Sequence, residues 1–256
     1  MTPTLPSEFL QRPIAHRALH DISDNRPENS RAAIQAAIDA GYGIEIDLQL
    51  TADGQVMVFH DYDLKRLTGQ TGAIQQITGA EASAVPLLHS DGEGIPSLKE
   101  VLDIVAGQVP LLVEFKDQDG AMGTGIGPLE QEALRILSGY EGPLALMSFN
   151  PNSTAELARL APHLPCGIVT CAFESEDWPL SQTVREHLRD IPDFERSNAS
   201  FISHEAADLT RPRVAELKAR GVPILCWTIR SPEQEAEARE VADNVTFEGY
   251  LAAHSA

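Results

Sequence analysis

GIEIDLQLTADGQVMVFHD, residues 43–61, is the stretch on which the reading of this chain turns. GIEIDLQL (43–50) is an apolar run interrupted by two carboxylates, Glu45 and Asp47. They are two residues apart, so on an extended chain they share one side. ADG (52–54) is a turn signal, and QVMVFH (55–60) is a second extended run that leads into His60 and Asp61. An apolar strand with charge toward its end reads as a buried parallel strand whose carboxyl end serves a site.

Seven further short apolar runs, of six to eight residues, recur along the chain: PIAHRA (13–18), LLVEFKD (111–117), PLALMSFN (143–150), CGIVTCA (166–172), ASFISHEA (199–206), PILCWTI (223–229) and NVTFEGY (244–250). Helical patterns follow most of them. The first is capped by Asn29 or Ser30 and ended by Gly41; others fall at 96–107, 128–139, 153–160, around 184–189, at 212–220 and at 231–242. Ser231 with Pro232 is a strong start signal for the last of these. Eight β/α units in 256 residues predict an α/β fold, a TIM (β/α)8 barrel, as one domain over 1–256. Residues 61–95 break the rhythm and are expected to form a small insertion after the second strand region. A doubly wound open sheet competes, but it calls for a glycine-rich phosphate loop after the first strand. LHDISDNRPENS (19–30) contains no glycine.

Composition narrows the function. Lys+Arg number 19 against Asp+Glu 38, a net charge of −19, with 43% hydrophobic and 22% charged residues. The hydrophobic content is that of a folded protein, not a disordered chain. The charge argues against a nucleic-acid partner and against an anionic membrane surface, both of which need clustered Lys and Arg. No apolar run approaches about 18 residues, so no transmembrane segment is expected. MTPTLPSEFLQRP (1–13) has neither a basic nor an apolar leader region, so no secretory signal is expected. The three cysteines, Cys166, Cys171 and Cys226, form no zinc-like pair and no even framework. They read as small buried hydrophobes in a reducing, cytoplasmic protein.

The chemistry sits where a barrel puts it, at strand ends. The first run ends in His16-Arg17, the second carries Glu45 and Asp47 and leads to His60-Asp61, and the third carries Glu114 and Lys116. A buried unpaired charge is costly, so such placement needs a reason. Glu45, Asp47 and Glu114 converging on one point would repel unless a cation lay among them, and carboxylate oxygens suit Mg2+ or Ca2+. The structural alternative is that these are ion-paired core charges, Lys116 with Glu45 for instance. His16 and His60 are the candidate acid–base pair, because imidazole titrates near neutrality. Arg17 is suited to gripping a phosphate with two donors. The remaining histidines read as solvated or locally bonded, with His204 open.

In order along the chain, I-A-H-R (14–17), R-P-E-N-S (26–30), the block at 43–61, I-P-S-L-K-E-V-L (95–102), V-E-F-K (113–116), S-F (148–149) and W-T-I (227–229) resemble the glycerophosphodiester phosphodiesterase family. The resemblance implies a TIM barrel with a divalent metal on Glu45, Asp47 and Glu114, and His16 and His60 as general acid and base. It implies Arg17 and Lys116 at the phosphate, Phe149 and Trp227 along the alcohol side, and Glu28 and Asn29 as supports. The implied substrate is a small-molecule phosphodiester, cleaved to an alcohol and glycerol 3-phosphate, with a place in lipid and glycerol metabolism. Preferred head group, Mg2+ against Ca2+, the split of roles between the histidines and the oligomeric state stay open. Two other readings compete: a phosphodiesterase of the same barrel type resembling sphingomyelinase D, and a non-catalytic phosphodiester-binding barrel.

The chain departs from the family pattern in three places. Ala18 stands where the family usually has glycine, and its methyl would matter if that position has positive φ. The last strand reads V-T-F-E-G-Y (245–250), with Glu248 where the family often ends in T-D or T-N before proline. Arg230 follows W-T-I, as a plain exposed charge or as an added anion contact.

Overall fold

The shortest strand closes the barrel. In the computed structural model, which describes residues 2–254, Ile14–Ala15 (β1) pairs in parallel with Gly43–Leu50 (β2) on one side and with the last strand on the other. The remaining strands are Val56–Val58 (β3), Leu111–Phe115 (β4), Leu144–Ser148 (β5), Cys166–Thr170 (β6), Phe201–Glu205 (β7), Ile224–Ile229 (β8) and Asn244–Phe247 (β9). The sheet order is β1-β9-β8-β7-β6-β5-β4-β2-β3, and the β1–β2 pairing joins its ends into a ring. All eight runs expected from the sequence are barrel strands. The extended run after β2 is the added element: β3 folds back antiparallel onto β2, with Leu48 opposite Val58. Gly54, at φ 77°, makes the turn between them.

Strand parity sorts the side chains. β2 aligns Glu45 with Leu112 and Asp47 with Glu114 on β4, and β4 aligns Leu112 with Ala145 and Glu114 with Met147 on β5. Ile14, Leu112, Ala145, Met147, Val169, Phe201 and Leu225 form one buried apolar plug inside the ring. The same parity continues up each strand to polar residues, so Glu45, Asp47 and Glu114 stand above that plug. The alternate residues, such as Ile44, Ile46, Val113 and Leu146, face the helices and form the larger outer core.

Helices begin and end where their caps say. Ser30 rather than Asn29 caps Arg31–Ala40, accepting from the Ala33 backbone, and Gly41 ends it at φ 76°. Ser97 and Glu100 form a reciprocal capping box on Leu98–Val105. Asn150 caps Pro151–Leu160, which starts two residues before the expected Ser153. Ser231 caps Pro232–Ala238. A short N-terminal helix, Glu8–Gln11, was not legible in the sequence. Its Phe9 is fully buried against the barrel plug, and its carbonyl accepts from Asn244 at 2.8 Å. Burying such a side chain contributes about 2–3 kcal/mol, so this helix stoppers the end of the barrel opposite the carboxylates.

Residues 61–95 form no barrel strand. They hold two short helices, Lys65–Thr68 and Gly79–Ala84, and pack around their own core of Met57, Phe59, Leu64, Leu67, Ile74, Ala82, Leu87 and Ile95. This lobe sits on the β2–β3 hairpin and so steadies the segment that delivers His60.

Candidate active site

Three carboxylates meet at the mouth. One oxygen or more from each of Glu45, Asp47 and Glu114 lies within 4.8 Å of the others, and all three residues are buried. Lys116 partly neutralises them, with Nζ 2.7 Å from Asp47 Oδ1 and 2.6 Å from Glu114 Oε1. The ion pairing that the sequence allowed between Lys116 and Glu45 is therefore replaced by pairing with Asp47 and Glu114. Glu45 accepts one hydrogen bond, from the Arg17 backbone N–H to Oε2 at 2.8 Å. Its Oε1 is buried without a partner. Burial, then the charges of Asp47 and Glu114, push the Glu45 carboxyl well above the usual range. Asp47 is held low despite burial, because Lys116, His60 and Arg17 surround it. An orphaned buried carboxylate oxygen among two others is the donor set of a divalent cation of the Mg2+ or Ca2+ type. The residues fit such an ion.

Both histidines border this cluster, and each is held in the same way. His16 Nδ1 is 2.6 Å from Glu248 Oε2, and His60 Nδ1 is 2.7 Å from Asp61 Oδ1. Each carboxylate is gripped in turn by an arginine: Arg230 Nε reaches Glu248 at 2.8 Å, and Arg66 Nε reaches Asp61 at 2.7 Å. Burial lowers the His16 pKa to about 4, against the opposing hydrogen bond from Glu248. Both rings border one cavity of about 830 Å3.

Glu28 and Asn29 both contact residues of this site. Arg17 donates to Glu28 at 2.8 Å, and Glu28 also accepts from Arg66 at 2.7 Å. Asn29 Nδ2 donates to Asp47 Oδ2 at 2.9 Å. Its side chain therefore serves the carboxylate cluster while Ser30 caps the helix. Arg17 and Ala18 both have left-handed backbone, at φ 51° and 66°. This turn aims the Arg17 N–H at Glu45 and sends the Ala18 N–H to the Glu45 carbonyl at 3.0 Å.

The wall across the cavity is aromatic. Phe149 stacks edge-on against Trp227 with ring centroids 5.5 Å apart, and against Trp178 at 4.8 Å. Phe173 lies 5.0 Å from Trp178. The Trp227 indole N–H donates to the Ser203 carbonyl, which fixes its ring. All nine candidate residues, His16, Arg17, Glu45, Asp47, His60, Glu114, Lys116, Phe149 and Trp227, are thus gathered at one end of the barrel.

Some neighbours were missed. Phe173 and Trp178 come from an irregular polar stretch without periodicity. Arg66 comes from the insertion. Glu248 stands out in the sequence only as a departure from the family pattern; its inward parity with Thr246 is the signal that marks it. Arg230 is exposed at the rim of the cavity, and its guanidinium pairs with Glu248. His204 is structural: buried, it bonds Thr170 Oγ1 at 2.7 Å and Asp208 Oδ2 at 3.2 Å. The three cysteines are free and buried.

Carboxylates, histidines and cations gathered at the carboxyl ends of parallel barrel strands form an active site of the TIM-barrel enzyme type. Residues 16–244 match the model of the glycerophosphoryl diester phosphodiesterase family. A glycerophosphodiester phosphodiesterase of Caldanaerobacter subterraneus subsp. tengcongensis is 32% identical over 242 residues, 91% of each chain. Among solved structures, an Oleispira antarctica phosphodiesterase in complex with the product sn-glycerol-3-phosphate is 25% identical, with a TM-score of 0.74 over 94% of this chain and 93% of that one. A glycerophosphodiester phosphodiesterase from Parabacteroides distasonis shares the fold at a TM-score of 0.73 over 92% of both chains, with 22% identity. The chain belongs to the glycerophosphoryl diester phosphodiesterase family and is an enzyme of that class. Among the described residues, no helix is long and apolar enough to cross a membrane.

Proposed function

We propose that this protein hydrolyses small glycerophosphodiesters to an alcohol and glycerol 3-phosphate, with a divalent cation, Mg2+ or Ca2+, held by Glu45, Asp47 and Glu114. The observation that carries this reading is the buried carboxylate trio beside two carboxylate-anchored histidines in one cavity. When bound, the cation withdraws charge from the non-bridging phosphate oxygens. Arg17 and Lys116 add donors to the same oxygens, and they supply local positive charge in a protein of net charge −19. Phe149 and Trp227 offer apolar faces to the carbon portion of the diester.

His16 and His60 move the protons. One accepts the proton of the nucleophile, which we take to be the glycerol 2-hydroxyl, as its oxygen bonds to phosphorus. The other gives a proton to the departing alcohol as the phosphorus–oxygen bond breaks. Water then opens the resulting cyclic phosphate, and the same two groups exchange protons in reverse. The three buried free cysteines support a reducing, cytoplasmic setting, and the family supports a place in lipid and glycerol metabolism. We read 1–256 as one barrel domain carrying 61–95 as its insertion.

Release of glycerol 3-phosphate from glycerophosphocholine tests the reading, with EDTA and then with Mg2+ or Ca2+ restored. Release abolished by EDTA and recovered with metal supports it. No release with any metal, across several head groups, overturns it.

A further inference from the structure

We propose that Glu248, clamped by Arg230, is a positioning residue for His16: it holds the Nδ1 proton and so keeps Nε2 as the ring atom available for proton exchange. This rests on the reading of His16 as an acid or base. Glu248 contributes both oxygens to different partners. Oε2 is 2.6 Å from His16 Nδ1, and Oε1 is 2.8 Å from Arg230. Burial works against its ionisation, but the His16 hydrogen bond and the charge of Arg230 outweigh it and keep it well below the usual carboxylate range. An ionised carboxylate only accepts, so the shared proton belongs to Nδ1 and the neutral ring has its lone pair on Nε2. Among the described residues, Nε2 of His16 has no protein hydrogen-bond partner, while His16 borders the cavity.

The arrangement has an internal counterpart. Asp61, clamped by Arg66, holds His60 Nδ1 at 2.7 Å. The His60 clamp comes from adjacent residues and the insertion. The His16 clamp is assembled across the barrel closure, from the ends of β8 and β9 onto the end of β1. Without it, the His16 ring would lose the one contact that sets its tautomer. The neighbouring Arg17 would remain, and its sign disfavours the protonated ring, against the opposing charge of Asp47. Carboxylates that orient metal-ligating histidines typically contribute about 10–100-fold, and a loss of that order is expected here.

The test compares Glu248→Ala, Glu248→Gln and Arg230→Ala in the metal-loaded enzyme, with 15N NMR of the histidine rings as a readout independent of turnover. Glu248→Ala is expected to lose roughly 10–100-fold in kcat/KM, mainly in kcat, with the Nε2–H tautomer newly populated at His16. Glu248→Gln has one oxygen for two donors; with that oxygen held by Arg230 it presents its NH2 to His16 Nδ1, so the Nε2–H tautomer should be populated there too, with a loss like that of Glu248→Ala. Arg230→Ala should fall between the parent and Glu248→Ala. A His16 tautomer unchanged in Glu248→Ala, with kcat/KM within about twofold of the parent, overturns the inference. Equal losses in the Ala and Gln variants with one tautomer throughout also overturn it. If Glu248→Ala does not fold, the Gln and Arg230 variants decide by the same ring signals. His16→Ala separates the two levels. Loss there without loss in Glu248→Ala defeats the positioning role alone, whereas no loss in His16→Ala defeats the reading of His16 itself.

Discussion

Lys116 Nζ stands 2.7 Å from Asp47 Oδ1, within a cluster that also holds Glu114 and Glu45. Lys116, with Arg17 3.7 Å from Asp47, faces three carboxylates, one of which, Glu45, is pushed toward its protonated form, so a further cation is favoured there. Removing one partner of a buried ion pair costs about 3–5 kcal/mol. Lys116→Met is therefore expected to destabilise the metal-free protein by about that amount. Added divalent cation should offset much of the loss, because the ion binds the folded state alone. Urea unfolding in EDTA and in Mg2+ or Ca2+ checks this; equal destabilisation in both media would count against the cluster as a cation site.

Metal affinity should rise with pH. Glu45 is pushed above the usual carboxylate range, foremost by burial and then by Asp47 and Glu114. A cation needs the ionised form, so binding displaces the Glu45 proton. Affinity should climb by up to about tenfold per pH unit while that proton is released, and Glu45→Gln should bind metal more weakly with no such release. Calorimetric titration in buffers of different ionisation heat reads both quantities. Unchanged affinity in the variant would remove Glu45 from the ligand set.

His16→Ala and His60→Ala should each lower kcat/KM by about 10²-fold or more while leaving the metal titration near that of the parent. The parent profile of kcat/KM against pH should be bell-shaped. Steady-state kinetics on glycerophosphocholine decide; variants within a few-fold of the parent would take the histidines out of the proton transfers.

Stability should fall in mild acid, with a defined window. In the folded protein the His16 pKa is lowered from 6.5 to about 4, principally by burial. Between those values the unfolded chain binds a proton that the folded one does not, so stability declines as pH falls through this interval. Below about 4 both states are protonated and this contribution levels off. Urea midpoints between pH 7.5 and 4 should slope less in His16→Phe than in the parent, and identical slopes would contradict the assignment.

Ala18→Gly should be neutral or modestly stabilising. Ala18 is buried at φ 66°, where a Cβ costs roughly 1–2 kcal/mol. Glycine relieves that cost but adds about 0.5–1 kcal/mol of unfolded-chain freedom. The expected net is a gain of between about 0 and 1.5 kcal/mol by urea unfolding. A clear loss would mean that the methyl's packing outweighs the backbone strain.

The barrel was legible because its signal is local. Each of the eight strands is a short apolar run, and Ser30, Ser97 and Ser231 mark helix starts within a few residues of the chain. The spacing of Glu45 from Asp47, and of Glu114 from Lys116, already put each pair on one side of its strand. The N-terminal helix around Phe9 escaped notice because four residues carry too little periodicity to register, and it is the barrel floor that stabilises them.

What the sequence determined by itself was the order of β/α units and the set of reactive groups at strand ends. What only the tertiary structure decided was pairing: Lys116 with Asp47 and Glu114 rather than Glu45, Asn29 with Asp47, and Glu248 with His16 across 232 residues. Parity and capping act over a few residues and leave a pattern in the chain. Ring closure brings the ends of β1, β8 and β9 together, and contacts made by closure have no fixed spacing from which to be read.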